Sequence, residues 1–273
     1  MTLPSALRTE LIGRRYIDGT EEPQLQSDGL TNEVWRVGRV GVKLFRSAET
    51  SPLFPNAPVA EWDALHRFAP TGIAPTPLDL FTHRGQAVLV YEWANADGGE
   101  VSAKSLGAIL SRVHRPADVG DVGRDPHADG TAILKECADQ SLWQLAPERV
   151  VISSPAVQLH GDPVPGNTVQ TSSGLQLIDW QAANCGTAWH DIAIAVSPAM
   201  RIVAGLQPWT EAERRDLIRT AGLDPETWHD LAPAYHWRMA CHCQWRIERG
   251  HAAYQAGLVA EIRAALRSTN QVA

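Results

Sequence analysis

Residues 158–180 read QLHGDPVPGNTVQTSSGLQLIDW, and this stretch decides how the rest of the chain is read. It sets an acid at Asp162, an amide at Asn167 and a second acid at Asp179 within one turn-broken segment. VQLH, 157–160, and GLQLIDW, 174–180, have the apolar alternation of short strands. GDPVPGN between them carries two prolines and two glycines, which forbid helix. The pattern predicts a hairpin with the three polar residues at one end. An Asp followed five residues later by an Asn suits phosphoryl transfer. The Asp accepts the proton of an attacking hydroxyl, and the Asn oxygen and a further acid hold magnesium. Magnesium takes hard oxygen ligands and is usually held by one or two carboxylates together with substrate phosphates, so Asn167 and Asp179 make an adequate set. Asp and Asn beside Pro and Gly are also ordinary turn formers, and the loop alone leaves both readings open.

The wider pattern resembles the aminoglycoside phosphotransferase and choline kinase family of small-molecule kinases, relatives of the protein kinases, from about Gly29 to about Val196. In that family the catalytic loop reads His-Gly-Asp, here His160-Gly161-Asp162, and the metal-binding acid is followed by Trp or Phe, here Asp179-Trp180-Gln181. GTAWHDIA, 186–193, resembles a further family segment with Asp191 in the acidic position. Because Asp191 leads a helical pattern, an N-cap role is expected of it. The resemblance implies an α+β, protein-kinase-like bilobal fold: a nucleotide-binding lobe over 1–91, a hinge over 92–97, and a mainly helical lobe over 98–273.

The N-terminal half carries the partners that such a site needs. RVGVKLFR, 39–46, is a strand pattern in which Lys43 is flanked by Val42 and Leu44 and matches the family's phosphate-binding lysine. Glu61 opens EWDALHRFA, an amphipathic helix pattern, and would orient Lys43 through an ion pair. Upstream, SDGLTNEVWRVG, 27–38, keeps only Gly29 of the protein-kinase glycine string. The resemblance implies phosphate contacts from backbone amides and from short side chains such as Thr31 and Asn32. QAVLVYEW, 86–93, is an apolar strand running into ANADGGE, where backbone groups near Tyr91 and Trp93 would bond the base. ATP or GTP with Mg2+ are the implied cofactors.

Composition agrees. A chain of 273 residues with 44% hydrophobic content builds an ample core. No run of eighteen apolar residues or secretory h-region is visible, so a cytoplasmic protein is expected. Four cysteines in a chain this long predict reduced thiols rather than a disulfide framework. Cys241-His242-Cys243 fits none of the usual zinc spacings. The net charge of −7 disfavours nucleic acid and is compatible with a cationic ligand. Helices are predicted near 102–114, 130–145, 188–196 and 211–221, and across 226–268 with a break at Gly250.

Trp237, Cys241, Trp245 and Glu248 fall on one face of the last helical pattern. Such a face is either core or an aromatic and acidic wall for an amine, so Trp237, Trp245 and Glu248, with Asp191, are candidate substrate residues. The reading that follows is a kinase of a small hydroxylated molecule, such as an aminoglycoside or another amine-bearing antibiotic. A metabolic kinase of choline, ethanolamine, homoserine or a sugar is the alternative, and resistance is not separable from metabolism in the sequence. A nucleotide-binding pseudokinase is disfavoured because Lys43, Asp162, Asn167 and Asp179 are all present.

Overall fold

The segment around Lys43 becomes the centre of a five-stranded antiparallel sheet. In the computed structural model, which describes residues 2–27, 32–46 and 50–269, this sheet has the order β1-β2-β3-β5-β4. Its strands are β1 (Gln24–Ser27), β2 (Asn32–Val37), β3 (Val40–Phe45), β4 (Pro77–His83) and β5 (Gln86–Glu92). Central β3 is buried along its whole length, which suits its Val and Leu content, and Lys43 pairs there with Val34 on one side and Leu89 on the other. Helix α1 (Ser5–Gly13) covers the sheet with Leu7 and Leu11, both fully buried against Trp35, Val37, Val42, Val88 and Val90. Each such leucine contributes about 1.5–3 kcal/mol of transfer free energy.

Helix α2 (Pro58–Phe68) begins with proline at its first turn, where the missing N–H has no helical acceptor to lose, and buries Ala64, Leu65 and Phe68 together with Glu61. A carboxylate on the apolar face of a helix calls for a cation, and this one has Lys43.

The chain groups into two compact units. The first comprises Met1–Thr50, Phe54–Gly98 and Val169–Ala182; the second comprises Ser51–Leu53, Gly99–Thr168 and Ala183–Ala273. The second unit is mainly helical. Its helix α3 (Ala103–Val113) starts at Ser102, whose hydroxyl accepts the Ser105 N–H, and it buries Leu106, Ile109, Leu110 and Val113. A three-stranded antiparallel sheet of order β10-β7-β6 is built from β6 (Pro116–Arg124), β7 (Ile152–Leu159) and β10 (Asn184–Gly186). The unit's other helices are α4 (Pro126–Leu134), α5 (Trp189–Ala195), α6 (Pro198–Val203), α7 (Glu211–Thr220), α8 (Pro225–Glu248) and α9 (Tyr254–Thr269). Helix α7 opens with a full capping box between Thr210 and Glu213. Helices α8 and α9 are separated where Gly250 takes φ +88°, close to the break expected there.

Two expectations are corrected. The 157–160 strand does not pair with the 174–177 strand. β7 pairs with β6 and β10, whereas β9 (Gly174–Leu177) closes a tight hairpin on β8 (Thr168–Thr171). The long loop favours local closure, because pairing adjacent strands costs less chain entropy. The helix expected over 130–145 divides into α4 and a 3-10 turn at Ser141–Leu145. Strand β6 is an element that alternation does not signal; PADVGDVGR is largely exposed, and its pairing is set by β7. No helix of the described residues is long and apolar enough to cross a membrane.

Candidate active site

In the first unit, Lys43 extends from β3 between two carboxylates. Its Nζ donates to Glu61 Oε2 at 2.6 Å and to Asp179 Oδ1 at 2.5 Å. Burial by itself would lower the Lys43 pKa, but Asp179 and Glu61 outweigh it and hold the ammonium above the ordinary lysine value. Burial pushes Glu61 up to about 6, with Lys43 opposing the shift and Asp179 adding to it. Tyr91, across the sheet, is also pushed up by burial and by the two carboxylates. Its ring lies over Gly41, where a Cβ would meet it at 2.5 Å, so only glycine fits beneath it.

Asp179 sits at φ +62°, in the left-handed region. That conformation costs a non-glycine residue roughly 1–3 kcal/mol. The neighbouring residues hold it there. The Trp180 indole N–H donates to the Leu177 carbonyl at 2.8 Å, and its ring stacks on Phe68 of α2 at 4.7 Å. The Leu177 N–H bonds the Ile73 carbonyl, and the Gln181 carbonyl accepts the Ala57 N–H. Tryptophan after the acid thus anchors the segment in the core beside α2.

Asn32 has a different employment from the phosphate contact expected of it. Its amide nitrogen donates to Gln181 Oε1 at 2.5 Å and to Asn56 Oδ1 at 3.0 Å, and its oxygen accepts from Asn56. It is a buried knot tying β2 to the segment after Asp179. Gly29 and Thr31 lie outside the described residues. The backbone near Tyr91 and Trp93 is also engaged: Tyr91 is opposite Gly41 in the ladder, and the Trp93 N–H donates to the Arg39 carbonyl at 2.9 Å.

In the second unit, β7 delivers His160-Gly161-Asp162. Gly161 turns the chain at φ +85°. An L side chain rarely adopts that conformation, which glycine takes freely. The buried His160 braces the turn, its Nδ1 accepting the Asp162 N–H at 3.2 Å. Pro165 starts a 3-10 turn that brings Asn167 back under Asp162, and the Asn167 amide nitrogen donates to the Asp162 carbonyl at 2.9 Å and to Oδ2 at 3.1 Å. The Asp and the Asn five residues apart thus meet, and the amide orientation turns the Asn167 oxygen away from Asp162.

Asp191 does not cap its helix. The N-cap of α5 is Ala188, without a side-chain bond. Instead Asp191 is wholly buried; it accepts the Gly161 N–H at 2.8 Å and the His160 N–H at 2.9 Å, and pairs with His114 Nε2 at 3.0 Å. Sequence reasoning misses His114, whose only signal is its place at the C-terminal end of α3. The expected aromatic wall is also accounted for by structure. Trp237 is buried and donates to the Leu142 carbonyl; Trp245 is buried and donates to Glu136; Glu248 accepts the backbone N–H groups of Ala138 and Asp139. Those three side chains hold helices and turns together. Cys137, Cys241 and Cys243 are buried thiols and Cys185 is exposed; none is in a disulfide.

Among the described residues no group of three or more His, Cys, Asp or Glu could hold a metal ion by itself. The second unit offers the amide oxygen of Asn167, and the first a one-third-exposed carboxylate at Asp179. Each is a hard oxygen of the kind that a magnesium or calcium ion takes when nucleotide phosphates supply the rest of its ligands.

The model of the phosphotransferase enzyme family matches residues 24–234. No curated protein matches the chain. Among solved structures, the fold is similar to a choline/ethanolamine kinase family protein from Mesorhizobium loti, with 15% identity and a TM-score of 0.67 over 97% of this chain and 94% of that one. It is similar to choline kinase from Streptococcus pneumoniae at 14% identity and a TM-score of 0.64, covering 98% and 99% of the two chains. An amicoumacin kinase in complex with AMP-PNP and Ca2+ matches at 14% identity and a TM-score of 0.59, covering 99% and 100%. At such identities these likenesses establish the α+β fold of small-molecule kinases. With the family match over most of its length, the chain belongs to the phosphotransferase enzyme family.

Proposed function

We propose that the protein transfers the γ-phosphoryl group of ATP, or of GTP, to a hydroxyl of a small molecule. The observation that supports this most directly is the Lys43 ammonium held between Glu61 and Asp179, a fixed cation beside a carboxylate that is one-third exposed. Lys43 would neutralise nucleotide phosphates with Glu61 keeping it in place. Asp162 would align the acceptor hydroxyl and receive its proton as the new O–P bond forms and the β–γ P–O bond breaks, giving a phosphate ester and the nucleoside diphosphate. Asn167 and Asp179 would hold Mg2+, which when bound supplies charge to the phosphates. Little covalent chemistry is asked of the protein, and positioning with charge stabilisation carries the rate.

Residues 92–97 serve in this reading as the hinge after the nucleotide-binding lobe, and the reaction belongs in the cytoplasm, where its donor is abundant. The test is consumption of ATP and GTP with and without Mg2+ against a panel of aminoglycosides, peptide antibiotics, choline, ethanolamine, homoserine, hydroxy acids and amino sugars. Acceptor-dependent release of diphosphate supports the reading. Nucleotide binding with no acceptor-stimulated turnover across the panel counts against it.

A further inference from the structure

The second unit contains a cavity of about 370 Å3 that the sequence did not disclose. It is bounded by the catalytic-loop residues Pro165 and Thr168, the apolar side chains Val101 and Leu206, and the pair Arg201 and Trp209. Pro165 and Thr168 flank Asn167, which bonds Asp162, so this cavity adjoins the loop that carries the proposed proton acceptor. Its size falls at the lower end of small-molecule sites and suits a compact ligand.

Arg201 gives the cavity its chemistry. The residue is 5% exposed, on α6, and its guanidinium lies over the Trp209 ring at 3.4 Å from the centroid. Trp209 is fixed in turn by donating its indole N–H to the Ala195 carbonyl at 3.0 Å. Arg201 Nε donates to the Gln207 carbonyl at 2.5 Å, which sets the orientation of the guanidinium plane. Glu100 Oε1 stands 3.7 Å from Nη2, and the Glu100 side chain is 74% exposed. That separation leaves a loose ion pair at the rim, beyond hydrogen-bond distance. Among the described residues neither Nη group has an acceptor within hydrogen-bond distance. Burial holds the Arg201 pKa below the ordinary guanidinium value, opposed by Glu100 and Glu213. A guanidinium stays protonated even so, and one fixed in orientation whose Nη donors lack bonded acceptors favours a planar anion that can take both.

We propose that this cavity seats the acceptor, and that the acceptor is a small hydroxylated molecule bearing a carboxylate, read by the Nη pair of Arg201 with its carbon chain against Val101, Leu206 and Trp209. Glu100 at the exposed rim accommodates an ammonium group, so hydroxylated amino acids fit better than hydroxy acids without an amine. The inference rests on the phosphotransferase reading for its chemistry. The acceptor O–H loses its proton to Asp162, its oxygen gains the γ-phosphoryl group of ATP, and ADP leaves with the bridging oxygen. Carboxylate recognition by Arg201 itself needs no turnover.

The test therefore has two arms on the full-length protein. In the first, binding of homoserine, threonine and 4-hydroxybutyrate is measured by calorimetry and thermal shift, beside ethanolamine and choline, which lack the carboxylate. At least one carboxylate compound is expected to bind the wild type, and Arg201→Gln is expected to weaken it at least thirtyfold while ATP affinity is unchanged. In the second, ADP release is followed with the same compounds; Arg201→Gln should raise KM far more than it lowers kcat. Should Arg201→Gln not fold, Leu206→Trp, which fills the cavity from a half-buried position, is expected to abolish carboxylate binding and spare ATP. No binding of any of the three carboxylate compounds, or equal binding by the cavity variants, overturns the inference. Turnover of choline or ethanolamine with no dependence on Arg201 overturns it while leaving the phosphotransferase reading intact. Carboxylate binding with no turnover of any compound does the reverse.

Discussion

Lys43 and Asp179 are 136 positions apart in the chain, and the lysine Nζ lies 2.5 Å from the aspartate Oδ1 while also holding Glu61 at 2.6 Å. One buried ammonium is therefore shared between two carboxylates that would otherwise repel. Replacing it by methionine keeps the apolar stem and removes the charge. Removing one partner of a buried ion pair typically costs about 3–5 kcal/mol, so Lys43→Met should lower the denaturation midpoint as well as abolish transfer. Urea unfolding followed by circular dichroism checks this, and an unchanged midpoint contradicts the buried pairing.

Glu61 makes part of the stability depend on pH. Its folded pKa, raised to about 6 chiefly by burial, exceeds the ordinary carboxylate value of 4.5. The folded state then binds the extra proton. This group's contribution is full below pH 4.5 and is lost as pH rises through about 6. Melting temperature against pH should show this decline in the wild type and a flatter curve in Glu61→Gln. Identical curves for the two proteins would show that Glu61 titrates normally.

Asp162 should act in the chemical step alone. General acid–base contributions are on the order of 10²–10⁴, so Asp162→Asn is expected to lower kcat by that factor with nucleotide affinity nearly unchanged. Asp179→Asn should instead raise the Mg2+ concentration needed for nucleotide binding. Pre-steady-state turnover and nucleotide titrations at graded Mg2+ separate the two, and a variant pair with indistinguishable defects would refute the division of roles.

The carboxylate of Asp191 takes the backbone N–H groups of His160 and Gly161. Alanine there leaves two buried donors without acceptors, each worth about 1–3 kcal/mol. Asp191→Ala is expected to unfold at markedly lower denaturant, with Asp191→Asn intermediate because it keeps one acceptor oxygen. Hydrogen exchange at His160 and Gly161 reports the effect locally, and unchanged protection in Asp191→Ala would rule out the brace.

Trp245 is expected to matter for stability and not for the acceptor. It is 1% exposed and bonded to Glu136. Trp245→Ala should therefore cost about 3–5 kcal/mol by leaving a large void. In whatever fraction stays folded, the acceptor KM should be unchanged. A selective rise in KM would restore Trp245 to the substrate site.

Much of this site is legible in the sequence because its residues obey local rules. Gly161 and Pro165 force the turn that lets Asn167 reach Asp162, a contact spanning only five positions. Lys43 and Glu61 stand out as charges inside an apolar strand and on the apolar face of a helix, where an ion pair is the usual remedy. Asn32 and Asp191 escape such rules for one shared reason. Their hydrogen-bond partners, Gln181 for one and the His160–Gly161 backbone for the other, lie 149 and about 30 positions away, beyond any helix or strand period. The aromatic stripe of Trp237 and Trp245 fits core and ligand wall equally well in one dimension, and only the elements packed on α8 decide for core.

By itself, then, the sequence determined the strands that carry Lys43 and Tyr91 and those on either side of the catalytic stretch, most helices and the acid–amide–acid pattern, since propensity, alternation and proline or glycine punctuation act within a few residues. The tertiary structure alone decided that β9 closes on β8 and that Asp191 braces the His160–Gly161 turn. It also set the buried Arg201 on Trp209 without a hydrogen-bonded carboxylate. Each of these depends on which distant groups share a desolvated space, and burial sets the strength of a charge or hydrogen bond far more than its neighbours along the chain do.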